Sequence, residues 1–92
     1  MIQSFKHRGL RPLDEDDDHR GVNPAHVEKI NTILVQLDAA KRPVGMEMPG
    51  WRLHSLKGGL AGFWIRTVRA NWRIIFRFDG TDATDIDYLD DH

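Results

Sequence analysis

The chain has 92 residues, 40% of them hydrophobic and 29% charged, with no cysteine and a formal net charge of −1. That length allows one small domain, 1–92, burying roughly 60–65% of the surface its unfolded chain exposes, and the lack of cysteine excludes disulfides and thiol chemistry. No run approaches the roughly 18 apolar residues of a membrane span, and the opening Met1-Ile-Gln-Ser-Phe-Lys6 lacks the apolar core of a signal peptide, so a cytoplasmic protein that makes no membrane contact is expected.

In chain order, Ile2 and Phe5 anchor a short edge strand over residues 1–5. Gly9-Leu10-Arg11-Pro12-Leu13 then starts a short helix, since proline is tolerated in a first turn and the acids that follow are expected to complement the helix dipole. The acidic run at residues 14–18 is a self-repelling helix end or loop. Asn23-Pro24 begins the main helix: Asn caps, Pro takes the first helical position, and Val27, Ile30, Ile33, Leu34 and Leu37 recur at helical spacing through about Ala40. His26 is expected on its polar face. Lys41-Arg42-Pro43 ends it, and a loop follows over residues 44–50.

Residues 51–56 read as a strand closed by Lys57-Gly58-Gly59. Residues 63–78 form the central hairpin, turning at Ala70-Asn71, where Asn tolerates the left-handed conformation a tight turn requires. From 72 on, the even positions Trp72, Ile74, Phe76 and Phe78 are apolar and the odd ones include Arg73 and Arg77, the period-2 pattern of a strand with one buried face. The last strand, 83–89, alternates Ile86 and Tyr88 with aspartates. A two-residue Asp79-Gly80 turn would set Ile74 beside Asp85 and bury aspartates. A three-residue loop over 79–81 pairs Ile74 with Ile86, Trp72 with Tyr88 and Arg73 with Asp87, and that odd-length loop is the expectation. The fold class is α+β: an antiparallel sheet of about four strands with two N-terminal helices packed on one face.

Charge is segregated along this layout. Residues 41–77 carry eight Lys or Arg against Glu47 alone, and six aspartates lie between Asp79 and Asp91. A basic middle can present a basic face even when the total is near neutral. On the sheet face opposite the helices the candidates for chemistry are His54, Lys57, Arg73, Arg77, Asp87, Asp90 and His92. Metal-ligand spacing, a phosphate-binding P-loop and a nucleophile elbow are all missing, so neither cofactor nor metal is expected.

The remaining inventory suits phosphodiester cleavage by an RNA's own 2′-hydroxyl, which needs a base, a cation and an acid. His and Lys serve as base or acid, each worth about 10²–10⁴-fold, and the planar fork of Arg meets phosphate oxygens bidentately. On a straight strand positions 54 and 57 lie on opposite faces, so both reach one site only if the chain turns at 55–57. The plainer readings are a cross-strand Arg73–Asp87 ion pair, a loop lysine at 57, a structural His54, a frayed His92, and Trp51, Trp64 and Trp72 as core residues.

Three separated stretches, Arg52-Leu53-His54-Ser55-Leu56-Lys57-Gly58, then Val68-Arg69-Ala70-Asn71-Trp72-Arg73-Ile74-Ile75-Phe76-Arg77-Phe78, then Asp87-Tyr88-Leu89-Asp90-Asp91-His92, together with the opening ten residues, closely resemble the HigB branch of the RelE-type bacterial toxins. The resemblance covers essentially the whole chain. It implies a RelE-like fold and a metal-independent ribonuclease that enters the ribosomal A site, contacts 16S rRNA and cuts mRNA there. It also implies a helix-turn-helix, HigA-like antitoxin, through which alone operator DNA is reached. Position by position it implies catalytic roles for His54, Lys57, Arg73 and His92, with Asp90 supporting the site. Arg73 and Lys57 are then phosphate and transition-state stabilisers, and His54 and His92 the proton-transfer candidates. One departure stands out: Asp91 replaces a tyrosine of the family's ending, which removes an aromatic and adds a negative charge near RNA. Two rival readings remain open, a non-enzymatic gyrase inhibitor like the related ParE toxins and a degenerate toxin acting only as a repression partner of its antitoxin.

Overall fold

The computed structural model describes residues 1–39, the backbone of 51–54, and residues 62–90. Helix α1 (Leu10–Asp16) places Leu10 and Leu13 in the core and ends where Asp17 turns left-handed at φ 53°. Its acids lie at the C-terminal end and none in the first turn, so they oppose the helix dipole instead of complementing it. They are relieved locally, Asp18 by the guanidinium of Arg20 (2.9 and 2.7 Å) and Asp17 by His19 (2.9 Å). Hydrogen bonds from Arg20 hold the Asp18 carboxyl down at about 2.

The second helical segment starts as the sequence indicates. Asn23 Oδ1 accepts from the N–H of Ala25 at 2.9 Å. A 3-10 turn over Pro24–His26 leads into α2 (Val27–Ala39), whose buried stripe is Ile30, Ile33, Leu34 and Leu37. The loop before it lies against the start of α1: an added Cβ on Gly9 would sit 2.4 Å from the carbonyl oxygen of Gly21. No helix of the described residues is long and apolar enough to cross a membrane.

The sheet is an antiparallel meander, β1 (Trp51–His54), β2 (Phe63–Arg69), β3 (Trp72–Asp79) and β4 (Asp82–Asp90), in the order β1-β2-β3-β4. Its helix-bearing face contributes Val68, Ile74, Phe76, Ile86 and Tyr88 to the main core, with Trp64 and Trp72 packed against it half-buried. On the other face Phe63, Ile65 and Ile75 form a smaller cluster with Leu89. The opening residues bridge β4 in parallel at Ile2–Ala83 and Phe5–Ile86, so they border the sheet through isolated bridges and not as a full edge strand. The last of their backbone bonds come from Lys6 and His7 to the Ile86 carbonyl, at 2.7 and 3.4 Å.

Both hairpin turns are two residues long, which corrects the expected odd-length loop after β3. Asp79 pairs with Asp82, leaving Gly80-Thr81 as the turn, with Gly80 at φ 64°. The aspartates are still kept out of the core, by a bulge between Ile75 and Arg77 in the ladder. Asp85 has φ 51° and its carboxylate pairs with Arg77 Nε at 2.6 Å. The extra residue shifts the ladder by one: Phe78 faces Ala83 before it, and Ile74 faces Tyr88 and Trp72 faces Asp90 after it. A bulge adds one residue to one strand and so changes which parity faces inward. Ala83, Ile86 and Tyr88 are thereby all buried.

In the β2–β3 turn it is Ala70 that adopts the left-handed conformation, at φ 51°, and not Asn71. An L-residue there is strained by about 1–2 kcal/mol, partly offset in glycine by the greater freedom of its unfolded chain. Ala70→Gly is therefore expected to stabilise the protein by about 0.5–1 kcal/mol, read as a higher urea midpoint at unchanged slope. A lower midpoint would show that the turn is unstrained.

Candidate active site

Arg73 is the second residue of β3, two positions beyond the hairpin turn, and lies in the row Thr67–Arg73–Leu89. Asp87 pairs with Ile75, and its Oδ1 accepts from the N–H of Tyr88 at 2.9 Å. The expected Arg73–Asp87 cross-strand pair is therefore absent, a consequence of the bulged register. Arg73 folds back over its own turn instead: Nη1 donates to the carbonyls of Ala70 at 2.5 Å and Trp72 at 3.3 Å. Among the described residues no carboxylate pairs with it, and its buried Nε has no hydrogen-bond partner. The guanidinium is held in place by carbonyls, and no described carboxylate cancels its charge.

Asp90 closes β4 opposite Trp72. By strand alternation that row belongs to the helix-bearing face, so Asp90 and Arg73 flank the same end of the sheet from opposite faces. Both are expected on the face away from the helices, and Asp90 departs from that. His54, the last residue of β1, pairs with Phe63. Arg73 pairs with Thr67, four residues further along β2, which separates the two rows by about 13 Å along the strand. The His54 side chain, Lys57 and His92 lie outside the described residues. Among the described residues there is no group of three or more His, Asp or Glu able to hold a metal ion.

The family model for the HigB-like toxins, described as the RelE-like toxin of the type II toxin-antitoxin system HigB, matches residues 3–92. This chain belongs to that family. Two curated relatives agree. Endoribonuclease HigB of Proteus vulgaris is 44% identical over 92 residues, covering all of both chains. Toxin HigB-1 of Vibrio cholerae serotype O1 is 33% identical over 95 residues, covering all of this chain and 98% of that one. Membership in a family of type II toxins implies a cognate antitoxin as partner.

Beside Arg73 and Asp90, this HigB-like toxin carries a buried aromatic and histidine cluster that the sequence reading missed. His26, expected on the polar face of its helix, is only 4% exposed. Its Nδ1 lies 2.6 Å from the Tyr88 hydroxyl. Tyr88 stacks on Trp72 with ring centres 4.7 Å apart, and His7 meets its edge at 5.3 Å. Burial pushes the Tyr88 phenol up, a hydrogen bond from the Asn23 backbone opposes it, and the charge of Asp90 adds a smaller upward push. A signal was present: 26, 30, 33 and 37 fall on one helical stripe, and a histidine on an apolar stripe demands a polar partner.

Proposed function

We propose that this HigB-like toxin is a ribosome-dependent endoribonuclease that cuts mRNA in the A site, with the RNA's own 2′-hydroxyl as nucleophile. The observation that carries this reading is Arg73, a guanidinium anchored on the carbonyls of Ala70 and Trp72 and not neutralised by any described carboxylate. Family membership supports it, as does the endoribonuclease name of the Proteus vulgaris relative.

In the proposed reaction the 2′-oxygen bonds to phosphorus as its proton passes to a base. The bond to the 5′-oxygen breaks, an acid protonates that oxygen, and a 2′,3′-cyclic phosphate remains. The scheme needs neither a protein nucleophile nor a metal ion. Negative charge gathers on the non-bridging oxygens in the transition state, and a preoriented cation there stabilises the transition state more than the ground state. Arg73 and Lys57 take that role, His54 and His92 exchange the protons, and Asp90 supports the site. The partners proposed with it are mRNA and 16S rRNA in the cytoplasm, and a helix-turn-helix, HigA-like antitoxin that alone reaches operator DNA.

Induction of the wild-type chain in bacteria without antitoxin, followed by primer extension on abundant transcripts, tests this reading. Cuts at in-frame codons that vanish when translation is blocked are expected. Growth arrest with DNA-damage signalling and no cuts would replace it by the gyrase-inhibitor reading, and absence of arrest by the degenerate-toxin reading.

A further inference from the structure

We propose that His26 is a positioning residue for the cutting site: its buried hydrogen bond to Tyr88 fixes the strand end that bears Asp90 and lies against Trp72 and Arg73. The inference rests on the endonuclease reading above.

Beyond Ile86, where the backbone bonds from the opening residues stop, the end of β4 is paired with β3 alone among the described residues. Tyr88 reaches across the core from that end to the first turn of the helical segment. There Asn23 and Pro24 set the backbone rigidly, and His26 Nδ1 meets the Tyr88 hydroxyl at 2.6 Å. The contact is satisfied with either tautomer of the imidazole, the hydroxyl donating to a bare Nδ1 or accepting from Nδ1–H. The two groups are 4% and 5% exposed, so water cannot substitute for either partner, and a displaced strand end would leave both unsatisfied.

The same tyrosine is tied to the site itself. It stacks on Trp72 (4.7 Å, 24° between planes), which is paired with Asp90 and adjoins Arg73. His26 also meets Trp72 edge-on at 5.5 Å. A second histidine, His7, closes the far edge of the phenol, and its own ring is oriented by the N–H of Gly9 on Nδ1 at 3.0 Å. His26, Tyr88 and Trp72 thus couple the helix layer to the sheet end that Arg73 and Asp90 flank from opposite faces. A shift of about 1 Å at reacting groups costs up to about 10²-fold in rate, so a brace at this place sets turnover as well as stability.

The test compares His26→Leu, Tyr88→Phe, the double variant and His26→Asn in single-turnover cleavage of mRNA bound on ribosomes, at a temperature where circular dichroism shows every variant folded. Both single losses leave an orphaned buried polar group, whereas the double variant removes both and is expected to regain most of its thermal midpoint. Its cleavage rate at saturation should nevertheless stay about 10-fold or more below wild type at an unchanged half-saturating concentration. His26→Asn, whose side-chain amide offers both a donor and an acceptor in place of Nδ1, should recover the rate to within about threefold. A double variant that cuts at the wild-type rate would overturn the positioning role and leave a purely structural pair. Should the double variant not fold, Tyr88→Phe alone decides, since it keeps the stack on Trp72 and loses only the hydrogen bonds of the hydroxyl: a wild-type rate would again overturn the proposal. Failure of the wild-type chain itself to cut would instead sink the endonuclease reading.

Discussion

Arg73→Ala is expected to lower the single-turnover rate of mRNA cleavage by about 10²–10³-fold, the loss typical when one preoriented donor to a developing oxyanion is removed. Its induction should no longer arrest growth. The ground for so large an effect is the way Arg73 is held. The two carbonyls of Ala70 and Trp72 orient the guanidinium, so little rotamer freedom is lost when phosphate oxygens arrive. Among the described residues no carboxylate competes for its charge. Stability should change by no more than about 1 kcal/mol, because only hydrogen bonds to turn carbonyls are lost while Ile74 and Phe76 keep their places in the core. Arg73→Lys keeps the charge and loses the planar fork, so a rate between the two is expected. Primer extension with a parallel thermal melt measures both quantities. An alanine variant that melts like wild type and remains fully toxic would remove Arg73 from the site.

Gly9→Ala is expected to destabilise the fold by about 2–3 kcal/mol. Backbone preference points the other way: Gly9 has φ −85°, a conformation alanine adopts readily, and replacing glycine ordinarily lowers the entropy of the unfolded chain. What opposes the change is space. The new Cβ would meet the O, C and Cα atoms of Gly21 at 2.4, 2.7 and 2.9 Å, and all of these are backbone, with no flexible side chain to move aside. Relief requires parting the start of α1 from the loop that delivers Asn23, and with it the Pro24–His26 turn. Gly21→Ala meets Gly9 Cα at 2.5 Å and should cost a similar amount. Gly80→Ala is the contrast, because nothing lies within 4 Å of its Cβ but φ is 64°, so about 1 kcal/mol of backbone strain is expected alone. Urea titration of the three variants ranks them. A Gly9→Ala midpoint equal to or above wild type would show that the two segments separate without cost.

The layout was readable from local chemistry. Asn23-Pro24 followed by apolar residues at helical spacing specified the main helix, and the alternation from Trp72 to Phe78 specified a strand with one inward face. Strict alternation through the whole of β4 predicts the wrong register, because the ladder carries a bulge. Ala83, Ile86 and Tyr88 are spaced three and then two apart, and that offset is the trace of the bulge at Asp85. The register matters for the site: the expected partner of Arg73, Asp87, lies two rows away, opposite Ile75, which leaves the arginine uncompensated by it. His26 was misplaced for another reason. A histidine near a helix start is ordinarily solvated, and only the arrival of Tyr88 from 62 positions further along the chain makes its burial tolerable.

The proposed site residues His54, Lys57, Arg73, Asp90 and His92 rest on three short motifs and a family likeness, since spacing alone makes Arg73 an ordinary ion-pair partner. Sequence by itself determined which elements form, which faces are apolar and which family the chain joins, because those properties reside in neighbouring residues and their period. Tertiary structure decided the bulged register, the contact of Gly9 with Gly21 and the His26–Tyr88 pair. Each of these joins residues distant in sequence, so a local pattern hints at it at most and does not name the partner: an extra residue in a ladder, a backbone too close for a Cβ, and two polar groups that can be buried only together.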